Sequence, residues 1–215
     1  MLLTISIDPH PLLEIELFVT RFASLLAHAE TPPPIMALAE PDAGAELTAT
    51  DQVRAEVRQL LRAGGFKPAG RSKPASEYLV AAARERRFPR INAAVDACNV
   101  VSLHSGLPIS LLDVDRLDGL ALRIGVAPAQ TSYVFNASAQ VIDASGLVCV
   151  FDRAGPSGTP VKDAQRTKTH DDTRTTLSVV WGTTSLPGRT AHTARWYREL
   201  VSMIAGATIE DVTRV

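Results

Sequence analysis

No stretch of this 215-residue sequence approaches the roughly 20 consecutive apolar residues that a membrane-spanning helix needs, although 46% of its residues are apolar. Only two cysteines occur, Cys98 and Cys149, in unlike contexts. They form neither a CxxC pair nor a Cys/His zinc spacing, so a disulfide framework is excluded and a reducing compartment is expected. The opening MLLTISIDPHPLL lacks a basic n-region and carries Asp8 early. No secretory signal is expected, and the protein is read as cytoplasmic. Nothing repeats internally. A chain of this length buries enough apolar surface to fold without staples.

Familiar catalytic signatures are missing too. There is no G-x-S-x-G elbow. The glycines of GPSG at 155–158 have no Lys-Ser/Thr after them, which excludes a nucleotide P-loop. His10, His28, His104, His170 and His192 are scattered, none at zinc spacing from another His or a Cys. No metal and no cofactor is expected. Asp113, Asp115 and Asp118 in DVDRLDG lack the extra oxygen ligands and the following Glu of a calcium loop. They are read as a surface turn leading into a strand.

What is present is unevenly charged. The formal net charge is −1, yet residues 1–53 carry one Lys/Arg against eight Asp/Glu, and residues 54–90 carry ten against three. Either a phosphate-facing surface or a solvated helix pair produces such a basic segment. Within it Arg84, Arg86, Arg87 and Arg90 are the candidates for phosphate contact.

Periodicity divides the chain. Residues 2–7 and 13–19 read as strands, and Pro32, Pro33 and Pro34 then argue against a helix. Thr50 or Asp51 caps a helix whose Val53, Val57, Leu60 and Leu61 share a face and which Gly64 and Gly65 end. A second helix follows Pro74 and a third spans 91–105, with Ile91, Val95, Cys98 and Val101 on one inward stripe. His104, near its C-terminus, suits the helix dipole. After Pro108 the period shortens. Residues 120–126, 131–135, 147–152 and 176–182 read as strands, and 190–205 as a closing helix with Trp196, Leu200, Val201 and Ile204 inward. Helices fill the first half and strands the second, which is an α+β pattern. Residues 1–49 are expected to pack on the domain formed by 50–215.

The third helix keeps Asn92, Asp96 and Asn99 on one side. Buried polar side chains there bond backbone groups and fix how the helix docks. Asn92, Asp96 and Asp113 are therefore read as structural, and Asn99 is left open between that role and ligand contact.

The stretch INAAVDACNVVSLHSGLPISLLDVDRLDG, with LVCVFD further on, resembles the tRNA-binding and editing module of the bacterial phenylalanyl-tRNA synthetase beta subunit, its B-three/B-four domain. That family reads Pro-(Ile/Val)-Asn, then Val-Asp-x-x-Asn, a Gly-x-Pro turn and Asp-(Leu/Val)-Asp. Ile91, Asn92, Val95, Asp96, Asn99, Gly106, Pro108, Asp113, Asp115 and Asp152 match it, and the likeness covers about residues 50–205. It implies a three-layer α/β sandwich of the editing-domain type, with mainly antiparallel strands in the second half. It also implies that Asn99 lies near the family's amino-acid pocket and that the turn 106–113 forms one wall. The chain has no room for a synthetase catalytic lobe beside this module, so it resembles the freestanding versions.

Two departures bear on activity. Editing members carry a His after Gly-Gln-Pro-(Leu/Met), and here Ser110 stands in its place. Ser is neither the same base nor the same cation. The acidic residue that recognises a tyrosine hydroxyl falls at Lys168, which suits a carboxylate or phosphate instead. Both argue against clearance of Tyr-tRNA. The threonine-rich run at 157–176 offers cations and hydroxyls for phosphate oxygens. The candidate pocket is thus Asn99, Ser110, Arg166, Thr167, Lys168 and Thr169, with no catalytic residue assigned. The resemblance implies tRNA or aminoacyl-tRNA as partner and a role in translation quality control, as an aminoacyl-tRNA deacylase acting in trans. The alternative is a non-catalytic module that binds tRNA, an amino acid or a small carboxylate.

Overall fold

The computed structural model, which describes residues 3–40 and 42–215, opens on strands β1 (Thr4–Ile7) and β2 (Leu13–Phe22). Helices α1 (Pro33–Ala37), α2 (Asp51–Arg62), α3 (Ala75–Arg84) and α4 (Ala93–Ser105) come next. Seven strands follow: β3 (Ile109–Asp113), β4 (Ala121–Val126), β5 (Ser132–Val134), β6 (Val141–Asp143), β7 (Val148–Asp152), β8 (Gly155–Gly158) and β9 (Thr175–Thr183). The chain ends on α5 (Arg189–Ser202), β10 (Ala207–Asp211) and β11 (Thr213–Arg214).

The strands form a five-stranded sheet in the order β11-β1-β4-β7-β8, a four-stranded sheet β10-β2-β9-β3, and the small hairpin β5-β6. Pairing is antiparallel except where β1 runs parallel to both β4 and β11. Alternation along β2 explains the layering. Leu17 and Val19 face the other sheet, meeting Ile5, Ile124, Val150, Val179 and Trp181. Phe18 and Phe22 face the helices, meeting Val57, Leu60, Val101, Tyr197 and Leu200. The result is three layers, sheet on sheet on helices. Strand β9 lies at the centre, its nine residues all buried, and its unbroken TTLSVVWGT run is what a strand covered on both faces requires.

Caps set the helices. Thr50 accepts a hydrogen bond from the Val53 amide at 3.2 Å and starts α2. Asn92 does the same for α4 through the Val95 amide at 3.0 Å. Helix α4 is buried nearly all round, as befits a helix wedged between neighbours. It stops at Gly106, whose φ of +71° is left-handed. Arg189, at the start of α5, donates twice to the Ser105 carbonyl and once to the Thr48 carbonyl.

Several expectations need correction. The three prolines do not exclude a helix: Pro33 and Pro34 begin α1, where the missing N–H groups have no intrahelical partner to lose. Residues 109–113, read as part of a turn, form β3, five fully buried residues pairing with β9. Asp113 does not lie on a surface turn. It is 1% exposed and accepts bonds from the Asp115 amide at 2.9 Å and the Thr173 hydroxyl at 2.6 Å. Ile91 is 67% exposed and leaves the inward stripe, because α4 begins only at Ala93. Residues 155–158 are strand β8.

Gly182 lets α5 approach β9. A Cβ there would stand 1.9 Å from Thr190 Oγ1, and that hydroxyl donates to Glu14 at 2.6 Å. Gly182→Ala is therefore expected to push α5 off the sheet and cost about 1–3 kcal/mol, read as a lower urea midpoint; an unchanged midpoint refutes the close approach.

Candidate functional site

Helix α4 presents three polar side chains that the sequence placed together, and they have different fates. Asn92 is the cap. Asp96 is 3% exposed, and both carboxylate oxygens are engaged: Oδ1 takes the Ile91 amide at 3.0 Å, and Oδ2 takes the Thr31 hydroxyl at 2.8 Å and the Arg90 guanidinium at 2.9 Å. It ties residues 31 and 90–91 to the helix. Asn99 is half-buried, and its amide has no hydrogen-bond partner among the described residues.

Ser110 is fully buried on β3. Its oxygen accepts the Trp181 indole N–H at 2.9 Å and its proton goes to the Thr159 carbonyl at 3.2 Å. Opposite stands Asp163, a residue that sequence reasoning missed. Its Oδ2 accepts the Leu111 amide at 3.1 Å. Its Oδ1 is closed off from solvent and unpaired. The two groups face one notch left by Gly158, where a Cβ would stand 2.8 Å from Oδ1 and 3.2 Å from the Ser110 oxygen. A serine has one proton: while it points at Thr159, Oδ1 is orphaned, and rotation toward Asp163 satisfies it. Burial pushes the Asp163 carboxyl up to about 6, against the opposing pull of Ser110, the Leu111 amide and the Lys168 charge.

The threonine-rich run wraps this layer. Arg166 grips Asp152 with both nitrogens at 2.6 and 2.7 Å, and also donates to the carbonyls of Gly155 and Pro156 and to the Ser157 hydroxyl. Burial raises the Asp152 carboxyl, but Arg166 and the Asp118 and Ala154 amides outweigh it and hold the pKa below the ordinary value. Thr167 is sealed and donates to the Ser157 carbonyl at 2.7 Å. The Lys168 ammonium donates to the Phe135 carbonyl at 2.6 Å. Burial lowers its pKa, and the Asp163 charge opposes that. Thr169 is half-buried with no partner among the described residues. Ser110, Arg166, Thr167 and Lys168 thus gather around β3 and β8 with their polar atoms engaged, while Asn99 and Thr169 keep theirs free.

The basic segment is also partly spent. Arg90 is held by Asp96 and Arg87 by Glu85. Arg58 grips Glu77 with two bonds of 2.6 Å, joining α2 to α3. Arg54 pairs with Asp51 at 3.1 Å. Arg62, Lys67, Arg84 and Arg86 are exposed without partners among the described residues. Arg84 lies where two cavities meet, one of about 220 Å³ between α2 and α3 and one of about 480 Å³ toward His104 and Arg86. Among the described residues no cluster of His, Cys, Asp and Glu is arranged to hold a metal, and no helix is long and apolar enough to cross a membrane.

The Asp163 arrangement has a pH signature. A carboxyl whose folded pKa of about 6 exceeds its ordinary 3.8 lends stability that is full below the lower value and lost as pH rises through the upper one. Asp163→Asn keeps the shape and removes the charge. Its urea midpoint is expected to gain on the parent's from about pH 4 to about pH 8. A difference that stays flat over that interval contradicts the buried carboxylate.

The family model described as the B3/4 domain matches residues 67–205. No curated protein matches the chain. The matched span runs from the approach to α3 through α4, the strands β3 to β9 and all of α5. It holds the capped helix, its glycine corner and the polar layer around Ser110. The chain belongs to the B3/4 domain family, the domain type of the phenylalanyl-tRNA synthetase beta subunit.

Proposed function

We propose that this protein is a cytoplasmic tRNA-binding module that holds tRNA without hydrolysing an aminoacyl ester. The family match over residues 67–205 supports a tRNA-related partner. One observation carries the choice of binding over catalysis: where editing members carry a His, Ser110 is fully buried with its oxygen committed to Trp181 and Thr159. A general base has to reach the proton it removes. The Lys168 ammonium is likewise occupied. Phosphate contact falls to the free cations Arg62, Lys67, Arg84 and Arg86. The free thiols of Cys98 and Cys149 suit a reducing cytoplasm. Residues 1–49 act as part of the same folding unit in this reading, since β2 lies between β9 and β10.

Hydrolysis of mischarged aminoacyl-tRNA in trans is the second reading. What favours it is the Ser110 hydroxyl beside a carboxyl pushed up to about 6, a hydroxyl–base pairing if the notch at Gly158 opens.

Titration with bulk tRNA at two salt concentrations tests the first reading. Binding is expected to weaken with salt, and Arg62→Glu with Lys67→Glu is expected to lower both the affinity and the salt slope, the latter by about two. Absent binding, or binding indifferent to salt, overturns it. Incubation with a panel of mischarged tRNAs separates the two: release no faster than in buffer is expected, and faster release from any of them transfers the case to hydrolysis.

A further inference from the structure

The 220 Å³ cavity sits where the first turns of α2 and α3 meet, lined by Thr50 and Asp51 from one and by Ser76 and Glu77 from the other. Its α2 wall precedes the residues matched by the family, and its α3 wall lies inside them. The cavity lies between two helices of one folding unit.

Its chemistry selects an anion. First-turn amides of a helix have no intrahelical acceptor, and each helix start carries about half a positive charge. Helix α3 is ten residues long and begins after Pro74, which gives no side-chain cap; the Ala75 amide already donates to the Pro160 carbonyl and the Glu77 amide to the Pro74 carbonyl, so the helix end contributes its dipole rather than a row of free amides. Independently of the helix ends, Ser76 is 3% exposed and lines the cavity, yet its hydroxyl has no partner among the described residues. The acidic lining is already neutralised, Glu77 by Arg58 and Asp51 by Arg54. Arg84 is left as the uncompensated charge. Val57 and Val80 give the same cavity an apolar side. The adjoining space of about 480 Å³ carries Glu40 and Asp42 against Arg84 and Arg86. With Arg84 given to the phosphate, two carboxylates face one guanidinium there, so the space suits an uncharged body rather than a second anion.

We propose that this cavity binds the phosphate monoester of a nucleotide, with the phosphate between the Ser76 hydroxyl and the Arg84 guanidinium, which reaches back along α3, and the nucleoside extending into the adjoining space. A guanidinium, a free hydroxyl and the positive end of α3 match a doubly charged monoester better than a single carboxylate. The monoester has two sources, a free nucleoside monophosphate or the 5′-phosphate end of an RNA.

Calorimetric titration of the full chain with AMP, adenosine and glycine, and with tRNA before and after phosphatase treatment, tests this. AMP is expected to bind at least about tenfold more tightly than adenosine, and Arg84→Met to weaken AMP by about tenfold. Ser76→Val is expected to do the same; should it misfold, the exposed Arg84 position still decides. If the RNA end is the source, phosphatase treatment weakens tRNA by a similar factor while free AMP binds poorly. The proposal is overturned if phosphatase changes nothing and either no monoester binds at millimolar concentration or adenosine matches AMP, or if glycine competes with AMP at equal concentration. It does not require the tRNA-binding reading. AMP bound by a protein that ignores tRNA removes that reading alone, and salt-dependent tRNA binding that is blind to AMP and phosphatase removes this inference alone.

Discussion

A buried indole N–H must find an acceptor, and in this protein that demand organises the centre. Trp181 on β9 is wholly buried between the two sheets, and its N–H reaches the Ser110 oxygen on β3. The bond fixes the register of the strand pair that also aligns Ser110 with Val179. It also draws the serine away from solvent, and the functional reading follows from that. Ser110 is here part of the core.

A second consequence is electrostatic. Once Ser110 serves Trp181 and Thr159, the neighbouring Asp163 has one oxygen with no donor. An unpaired buried acceptor is unfavourable, and the carboxyl responds by holding its proton more tightly. Gly158 keeps the notch open by having no side chain. The polar layer thus keeps an unpaired buried acceptor in its centre. Arg166 makes the opposite case: its charge and that of Asp152 meet at two points, and Nη2 also reaches the Gly155 and Pro156 carbonyls of β8.

The legible parts of the sequence were those in which local and tertiary demands agree. Helix α2 shows its cap, its stripe of Val53, Val57, Leu60 and Leu61, and its glycine end, and all four side chains are buried. The mixed α+β class followed from such segments, and the family likeness came from the spacing of Asn92, Asp96, Gly106 and Pro108. Strand β3 was not legible, because five buried residues after a proline corner show no alternation to distinguish strand from turn. Asp163 was invisible for another reason. Its surroundings come from β3, β8 and Lys168, and nothing within SGTPVKDAQ announces them. Charge counting failed in the same way: ten cations in residues 54–90 said nothing of Arg58 finding Glu77 or Arg90 finding Asp96.

Arg189 brings the end of the chain to bear on its beginning. From the first turn of α5 it holds the carbonyls of Ser105 and Thr48 together, just beside the segment that leads into α2. During synthesis the N-terminal helices emerge long before this side chain exists, since domains take shape as residues leave the ribosome. The rim between α2 and α4 accordingly stays unlatched until α5 has been made, and a nascent chain halted short of α5 would carry the walls of the cleft without the rivet that joins them.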